Sequence, residues 1–203
     1  MTYEIKKAAV LGSGVMGSAI AAHLAGCGIE VLMLDIVPFD NMLSDDEKAR
    51  KDSDPKVRNK LAAQSLKAAL KVKKPTPVFY SPKDAELITL GNFDDDMEKI
   101  GDCDWIIEVV VERMDIKKQI LAKVDEHRHP ESIVTTNTSG LSVNAMVEDC
   151  SAEMKAHFMG THFFNPVRFM KLLEVIPHPQ CDEALLKQME AFCADVLGKG
   201  VIW

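Results

Sequence analysis

Apolar positions along the chain fall into short unbroken runs, separated by stretches with helical spacing, rather than into strict alternation. Lys6–Leu11 is one such run, closed by Gly12. Ser13–Gly26 then carries small and apolar residues at helical intervals, and EVLMLD (Glu30–Asp35) is apolar again and ends in an acid. An unbroken apolar run is the expected signature of a strand buried on both faces, because neither set of side chains meets water. DWIIEVVVE (Asp104–Glu112) and SIVTTNT (Ser132–Thr138) read as two more buried strands. Between them Met114–Glu126 places Met114, Ile116, Ile120, Leu121 and Val124 as an amphipathic helix. Strands that alternate with helices predict an α/β protein with a doubly wound, mostly parallel sheet.

The excursion between the second strand and the next run, about residues 36–92, is too long for a plain connection and reads as a helical insert. Within it Asp40–Asp54 is polar and of mixed charge, which predicts a loop. Pro55–Pro75 lacks any acid and predicts one helix beginning at its proline, ended by PTPVFYSP (Pro75–Pro82). Two late apolar runs follow, HFMGTHFF and KLLEVI, and then an amphipathic helix near Asp182–Leu197 that ends in GKG. No internal repeat or low-complexity segment is visible.

Composition narrows the class. The chain has 203 residues, 47% hydrophobic and 27% charged, as expected of a soluble globular domain. A net charge of −7 argues against a dedicated nucleic-acid binder. Five scattered cysteines with no C-x-x-C pair suggest neither a disulfide framework nor a metal site, so a reducing, cytoplasmic setting is expected. The first apolar run is too short for a signal peptide or a membrane span.

GSGVMG (Gly12–Gly17) fits G-x-G-x-x-G. The pattern alone is weak, but here it follows a predicted strand, opens a predicted helix and precedes a second strand ending in Asp35. In that context each glycine has its own role. Gly12 permits the tight turn, Gly14 the close approach of a pyrophosphate, and Gly17 the packing of helix on strand. The helix N-terminus offers free N–H donors to an anion. Gly12, Gly14, Val15, Met16 and Gly17 are therefore candidate dinucleotide contacts in a Rossmann-type fold. Asp35 is placed to accept from the adenosine ribose hydroxyls and to repel a 2′-phosphate, which favours NAD over NADP. A glycine-rich turn without a ligand is the alternative. Glu108, Glu112 and Lys117 lie at or beyond the end of a predicted strand, and TTNTSG (Thr135–Gly140) ends another in small polar residues. Each of these serves equally well as a cap or turn residue.

In GTHFFNPVRFMKLLEV (Gly160–Val175) a histidine and a glutamate stand among apolar residues. An extended reading puts Leu172, Glu174 and Ile176 on one face, Leu173 and Val175 on the other. A carboxylate in apolar company needs a partner. His162 ends one run, Pro166 breaks the chain, and the two runs can then lie side by side with Glu174 gripping one imidazole nitrogen. Spacing alone leaves two readings open, a satisfied core histidine and a general base with its orienting acid.

The G-x-G-x-x-G start, DWIIEVVVE, TTNTSG and GTHFFNPVRFMKLLEV occur in the order and spacing of the L-3-hydroxyacyl-CoA dehydrogenases, and over nearly its whole length the chain resembles the NAD-binding domain of that family. It is most similar to the long bifunctional members in which this domain precedes an enoyl-CoA hydratase domain, through RNKLAAQSLKAALKVKKP (Arg58–Pro75). The resemblance implies NAD-dependent oxidation of an L-3-hydroxyacyl-CoA in fatty-acid β-oxidation. It implies His162 as the base, Glu174 as its orienter, Ser139 as a hydrogen-bond partner of the substrate oxygen, and Asn165 as a positioning residue. It also implies Glu112, Lys117 and Asn137 beside the nicotinamide half of NAD, with Asp35 at the adenosine ribose. Where many members carry asparagine-leucine after "VE", this chain has Arg113–Met114, which leaves local cofactor contacts open. Members continue past LGKGV into a helical domain that completes the acyl-CoA cleft, so the chain is expected to be a single domain, weakly active or inactive alone.

Lys56, Lys60, Lys67, Lys71 and Lys74 fall within one arc of a helical wheel. They form either a solvated face or, for Lys60 and Lys67 above all, a contact to the phosphates of coenzyme A. Two other functions stay in view. One is a related β-hydroxyacid dehydrogenase, which relies on a lysine base from a later helix that has no counterpart here. The other is an NAD-binding scaffold without turnover.

Overall fold

The structure is a computed structural model that describes residues 4–203. Its elements, in chain order, are β1 (Lys7–Leu11), α1 (Val15–Gly26), β2 (Glu30–Asp35), α2 (Asp45–Arg50), α3 (Pro55–Arg58), α4 (Lys60–Lys71), β3 (Ile88–Asn92), β4 (Trp105–Glu108), α5 (Met114–His127), β5 (Ile133–Thr136), α6 (Val143–Met146), α7 (Ala152–Ala156), β6 (Phe158–Phe163), β7 (Leu172–Pro177), α8 (Glu183–Asp195) and β8 (Gly200–Ile202). The strands form one sheet in the order β3-β2-β1-β4-β5-β6-β7-β8. The pairs from β3 to β6 are parallel; β7 runs antiparallel to β6, and β8 parallel to β7. This is the doubly wound Rossmann-type sheet expected from the strand–helix alternation. The reversal at β7 follows from its short connection, since a parallel return needs a crossover of a dozen or more residues.

Side chains of each central strand alternate between two cores. Ala8, Val10, Trp105, Ile107 and Val175 face α1, α4 and α8, while Ala9, Leu11, Ile106 and Val134 face α5 and α6. Burial on both sides is why these strands read as continuous apolar runs. Trp105 Nε1 donates to Thr135 Oγ1 at 3.0 Å and Thr161 Oγ1 donates to the same oxygen at 2.8 Å, so the polar atoms inside this core are partnered.

The insert departs from expectation in three places. Residues 40–54 are not a loop: a 3-10 turn at Asp40–Met42 leads into α2, whose start is a capping box in which Ser44 and Glu47 satisfy each other's backbone N–H. The Ser-x-x-Glu signal for it was present in the sequence. The single helix expected over Pro55–Pro75 is broken at Asn59, whose side chain is held by Asn92 Nδ2 at 2.6 Å. Lys56 belongs to α3 and Lys74 lies beyond the end of α4, so the five lysines do not share one helix. Ile88–Asn92 is a strand pairing with β2, so the insert ends before Ile88 and not at 92. Outside the insert, the run 104–112 forms a strand only to Glu108, because Glu108 Oε1 accepts from Val110 N–H at 2.7 Å and turns the chain. Beyond the insert, β8 was also not foreseen in the stretch after GKG.

Candidate active site

The glycine loop lies where β1 and β4 part, the topological switch point at which open α/β sheets bind ligands. Gly12 has φ 109°, and a Cβ there would meet Val109 O at 2.7 Å. A Cβ on Gly17 would lie 1.8 Å from Gly12 O, so helix and loop meet only because that side chain is absent. Gly14 differs: nothing lies within 4 Å of a Cβ built on it. The fold itself therefore accounts for Gly12 and Gly17 but not for Gly14, which faces open space. Val15 beside it is 74% exposed; Met16 is half-buried against the α1 core. α2, α3, α6, α7 and α8 are each capped by a Ser or Asp side chain, whereas α1, like α4 and α5, receives no side-chain cap. Its first N–H groups are left for an anion, as a dinucleotide pyrophosphate requires.

Asp35 closes this loop. Its Oδ2 accepts from Ser13 N–H at 2.9 Å and from the Ser13 hydroxyl, and its Oδ1 accepts from Ile36 N–H at 2.7 Å. The carboxylate is thus fixed at the end of β2, with one acceptor position remaining on Oδ1. Ser13 Oγ also meets Ser65 Oγ of α4 at 3.2 Å, a link between insert and glycine loop that sequence spacing did not suggest.

On the other side of the switch point, Glu108 and Lys117 form a pair that is 0% and 1% exposed, with Nζ–Oε distances of 2.8 and 2.9 Å. The Thr136 hydroxyl donates to Glu108, and Lys117 Nζ also reaches Val110 O at 3.3 Å and Glu112 at 3.3 Å. All the donors of Lys117 are engaged inside the protein, so its ammonium does not reach the surface; it acts on the site by holding Glu112 and the turn after β4. Glu112 accepts in addition from the Thr138 hydroxyl and from Ser139 and Gly140 N–H at 3.1 and 3.2 Å. Burial draws its carboxyl upward, but the Thr138 hydrogen bond, the Lys117 charge and the two N–H groups outweigh it and hold it below its usual range. Asn137 Oδ1 accepts from Phe163 N–H at 2.9 Å, which leaves its amide NH2 without a partner among the described residues.

His162 and Glu174 are direct cross-strand partners in the antiparallel β6·β7 ladder. His162 Nδ1 and Glu174 Oε2 are 2.8 Å apart. A carboxylate only accepts, so Nδ1 carries the proton and Nε2 of the neutral ring presents its lone pair. The His162 ring also lies 4.4 Å, centroid to centroid, from that of Phe164. The pair sits on the open face of the sheet, not in the core: the two side chains are 17% and 37% exposed, while Leu173 and Val175 on the opposite face are buried. Glu174 is therefore not an acid in wholly apolar surroundings, because the alternation of β7 turns it to the open side. Ser139 and Asn165 are both exposed, and neither side chain has a hydrogen-bond partner among the described residues. A cavity of about 360 Å³ runs along Ser139 and Ser142 to Ile176, which is next but one to Glu174.

The lysines of the insert differ in their partners. Lys60 Nζ pairs with Glu47 at 2.7 Å and donates to Met42 O at 3.1 Å, so its charge is neutralised within the insert. The same contact holds Glu47 down to about 2. Lys67 is exposed and makes no ion pair among the described residues. Among the described residues, no group of three or more His, Cys, Asp or Glu is placed to hold a metal ion, and no helix is long and apolar enough to cross a membrane.

A family model described as 3-hydroxyacyl-CoA dehydrogenase, NAD binding domain, matches residues 7–203. A Bacillus subtilis protein named probable 3-hydroxyacyl-CoA dehydrogenase is 55% identical over 202 residues, which is 100% of this chain and 25% of that protein. A Rickettsia felis protein named putative fatty acid oxidation complex trifunctional enzyme is 38% identical and matched over 100% of this chain and 26% of its own length. Among solved structures, FadB2 of M. tuberculosis superposes with a TM-score of 0.72 at 27% identity, covering 98% of this chain and 63% of that one. The chain spans about a quarter of the length of these two curated relatives. It belongs to the 3-hydroxyacyl-CoA dehydrogenase family, as that family's NAD-binding domain.

Proposed function

We propose that the protein carrying this chain oxidises the 3-hydroxyl of an L-3-hydroxyacyl-CoA to the ketone, with NAD as hydride acceptor, in fatty-acid β-oxidation. One observation carries the reading: His162 Nδ1 is bound to Glu174 while Nε2 is left open, at the same end of the sheet as the glycine loop. NAD, when bound, supplies the site that accepts the hydride; the other roles belong to this chain. Nε2 of His162 takes the hydroxyl proton, and Glu174 holds the tautomer and stabilises the imidazolium that forms. The hydroxyl of Ser139 and the amide of Asn165, both uncommitted, orient the substrate oxygen. Gly14 and the α1 N-terminus receive the pyrophosphate, Asp35 the ribose, and the Asn137 amide with Glu112 the nicotinamide end, Glu112 being kept in place by Lys117. Of Lys60 and Lys67, Lys67 is the one left available to a coenzyme A phosphate.

We also propose that the acyl side of the cleft is closed by a helical domain outside these residues, in a protein that carries an enoyl-CoA hydratase domain as well. The exposure of Ser139 and Asn165 and the greater length of the relatives support this. An open cleft loses both positioning and water exclusion, so the isolated chain is expected to bind NADH and turn over poorly.

The test is oxidation of NADH with acetoacetyl-CoA, by the full-length protein and by its His162→Gln variant. Loss of a positioned base should lower kcat by about 10²–10⁴-fold with little change in NADH affinity. Wild-type turnover in His162→Gln removes the base assignment. NADH binding without any reduction of acetoacetyl-CoA leaves the scaffold reading in its place.

A further inference from the structure

The loop that joins the base to its carboxylate, residues 164–171 between β6 and β7, is held by reciprocal lysine–carbonyl contacts to the turn after α8. From that turn, Lys199 Nζ donates to Val167 O and, at 2.9 Å, to Met170 O. It also lies 5.9 Å from the centroid of the Phe163 ring, the residue next to His162. In the opposite sense, Lys171 Nζ donates to Gly198 O at 3.1 Å, and Gly200 N–H donates to Lys171 O at 2.7 Å. The turn is itself anchored: His23 Nε2 donates to Leu197 O at 3.1 Å, and Lys199 N–H donates to Cys193 O at 3.0 Å.

Lys199 is only 6% exposed. The partners the structure gives it are carbonyl oxygens and a ring face, not a carboxylate. A buried ammonium without a counter-ion is costly, and an apolar side chain would fill the same space without that cost. Burial, with the Lys171 charge behind it, pushes its pKa down, while the thiols of Cys27 and Cys193 pull the other way; His23 and Arg168 lie in the same field. What a cation does here that an apolar residue cannot is gather two carbonyls of one turn onto a single point. That turn sets how β6 meets β7, and a one-residue slip of an antiparallel pair would put Glu174 on the opposite face from His162.

We propose that Lys199, with Lys171 as its exposed counterpart, is a positioning residue that clamps loop 164–171 and thereby holds His162 opposite Glu174 and Asn165 at the mouth of the site. The inference rests on His162 and Glu174 working as proposed above. Lys199 touches neither substrate nor cofactor, so its loss should act on the geometry of the base and not on binding.

The experiment compares Lys199→Met, Lys199→Arg and Lys171→Met in the full-length protein with two independent readouts. One is the nitrogen-15 NMR signal of the His162 imidazole, which reports the protonated Nδ1 held by Glu174; the other is kcat, KM and the NADH Kd. For Lys199→Met the His162 Nδ1–H signal should broaden or shift, and kcat should fall about tenfold while KM and Kd stay within about twofold. Lys199→Arg, which keeps a cation with forked donors, should recover most of the loss, and Lys171→Met should cost about two- to threefold in kcat. A folded Lys199→Met protein with a wild-type His162 spectrum and wild-type kcat overturns the inference. If Lys199→Met does not fold, Lys171→Met decides through the same readouts, since its side chain is exposed. If the wild-type protein does not reduce acetoacetyl-CoA, the functional reading fails and the His162 spectrum alone decides the positioning role.

Discussion

Two carboxylates, each held by a nitrogen side chain, stand on the same sheet, and the two pairs are built to opposite plans. Glu108 and Lys117 are fully buried, face each other through two short contacts, and engage their remaining polar atoms with Thr136, Val110 and Glu112. Glu174 and His162 are partly exposed, share a single hydrogen bond, and leave one ring nitrogen with no partner among the described residues. A saturated pair has no proton or lone pair left for a ligand, so its work is to fix the turn that carries Glu112. The unsaturated pair has a lone pair aimed outward. The same contrast runs through the glycine loop, where Gly17 is required by contact with Gly12 while Gly14 opens onto empty space.

Variants can break this contrast. Glu174→Gln should lower kcat by about 10–10³-fold, since the imidazolium loses its stabilising charge, yet change stability by less than about 0.5 kcal/mol. Lys117→Met should do the reverse first of all to the fold, leaving Glu108 charged and unpaired in the core at a cost of about 3–5 kcal/mol in a urea titration. Equal effects of the two variants on stability would erase the distinction. In the glycine loop, Gly17→Ala should destabilise by about 1–3 kcal/mol through overpacking. Gly14→Ala should leave the urea midpoint in place and weaken NADH binding by about tenfold, because its methyl group would stand where a phosphate approaches.

Stability against pH sharpens the picture at smaller scale. His23 lies under the Lys199 turn, and burial, reinforced by the Lys199 charge, pushes its pKa from 6.5 to about 4. A folded-state pKa below the unfolded one means that the unfolded chain takes up the proton first as pH falls. The stabilisation is complete above pH 6.5 and is lost as pH drops towards 4. Between pH 7.5 and pH 5 the loss should be about 2 kcal/mol. Replacing His23 by Gln should flatten that slope. An unchanged slope would assign it to other groups, His178 first among them, since burial lowers its pKa as well.

Much of the site was legible in the sequence for a definite reason: its parts are backbone-driven. The glycine spacing, the acid closing EVLMLD and the period-2 placement of Glu174 each follow from local geometry, and each stands where expected. Lys117 was foreseen as a site residue, but not that its ammonium is enclosed, because that depends on Glu108, Thr136 and Glu112 arriving from other elements. Lys60 belongs with it: a lysine arc on a wheel says nothing of Glu47, which reaches it from a helix the charge pattern disguised as a loop. Lys199 carried no signal, since a lysine in GKG after a helix reads as an ordinary C-terminal turn.

The sequence by itself did not determine α2, β3 or β8, but it did determine the strand–helix alternation of the central sheet, the glycine loop and the pair of residues that meet across β6 and β7. These depend on spacing, and spacing is a property of the chain. Only the tertiary structure decided which charges are available. Whether a lysine or a carboxylate is open to a ligand depends on partners far away in sequence and on the burial that makes those partners strong.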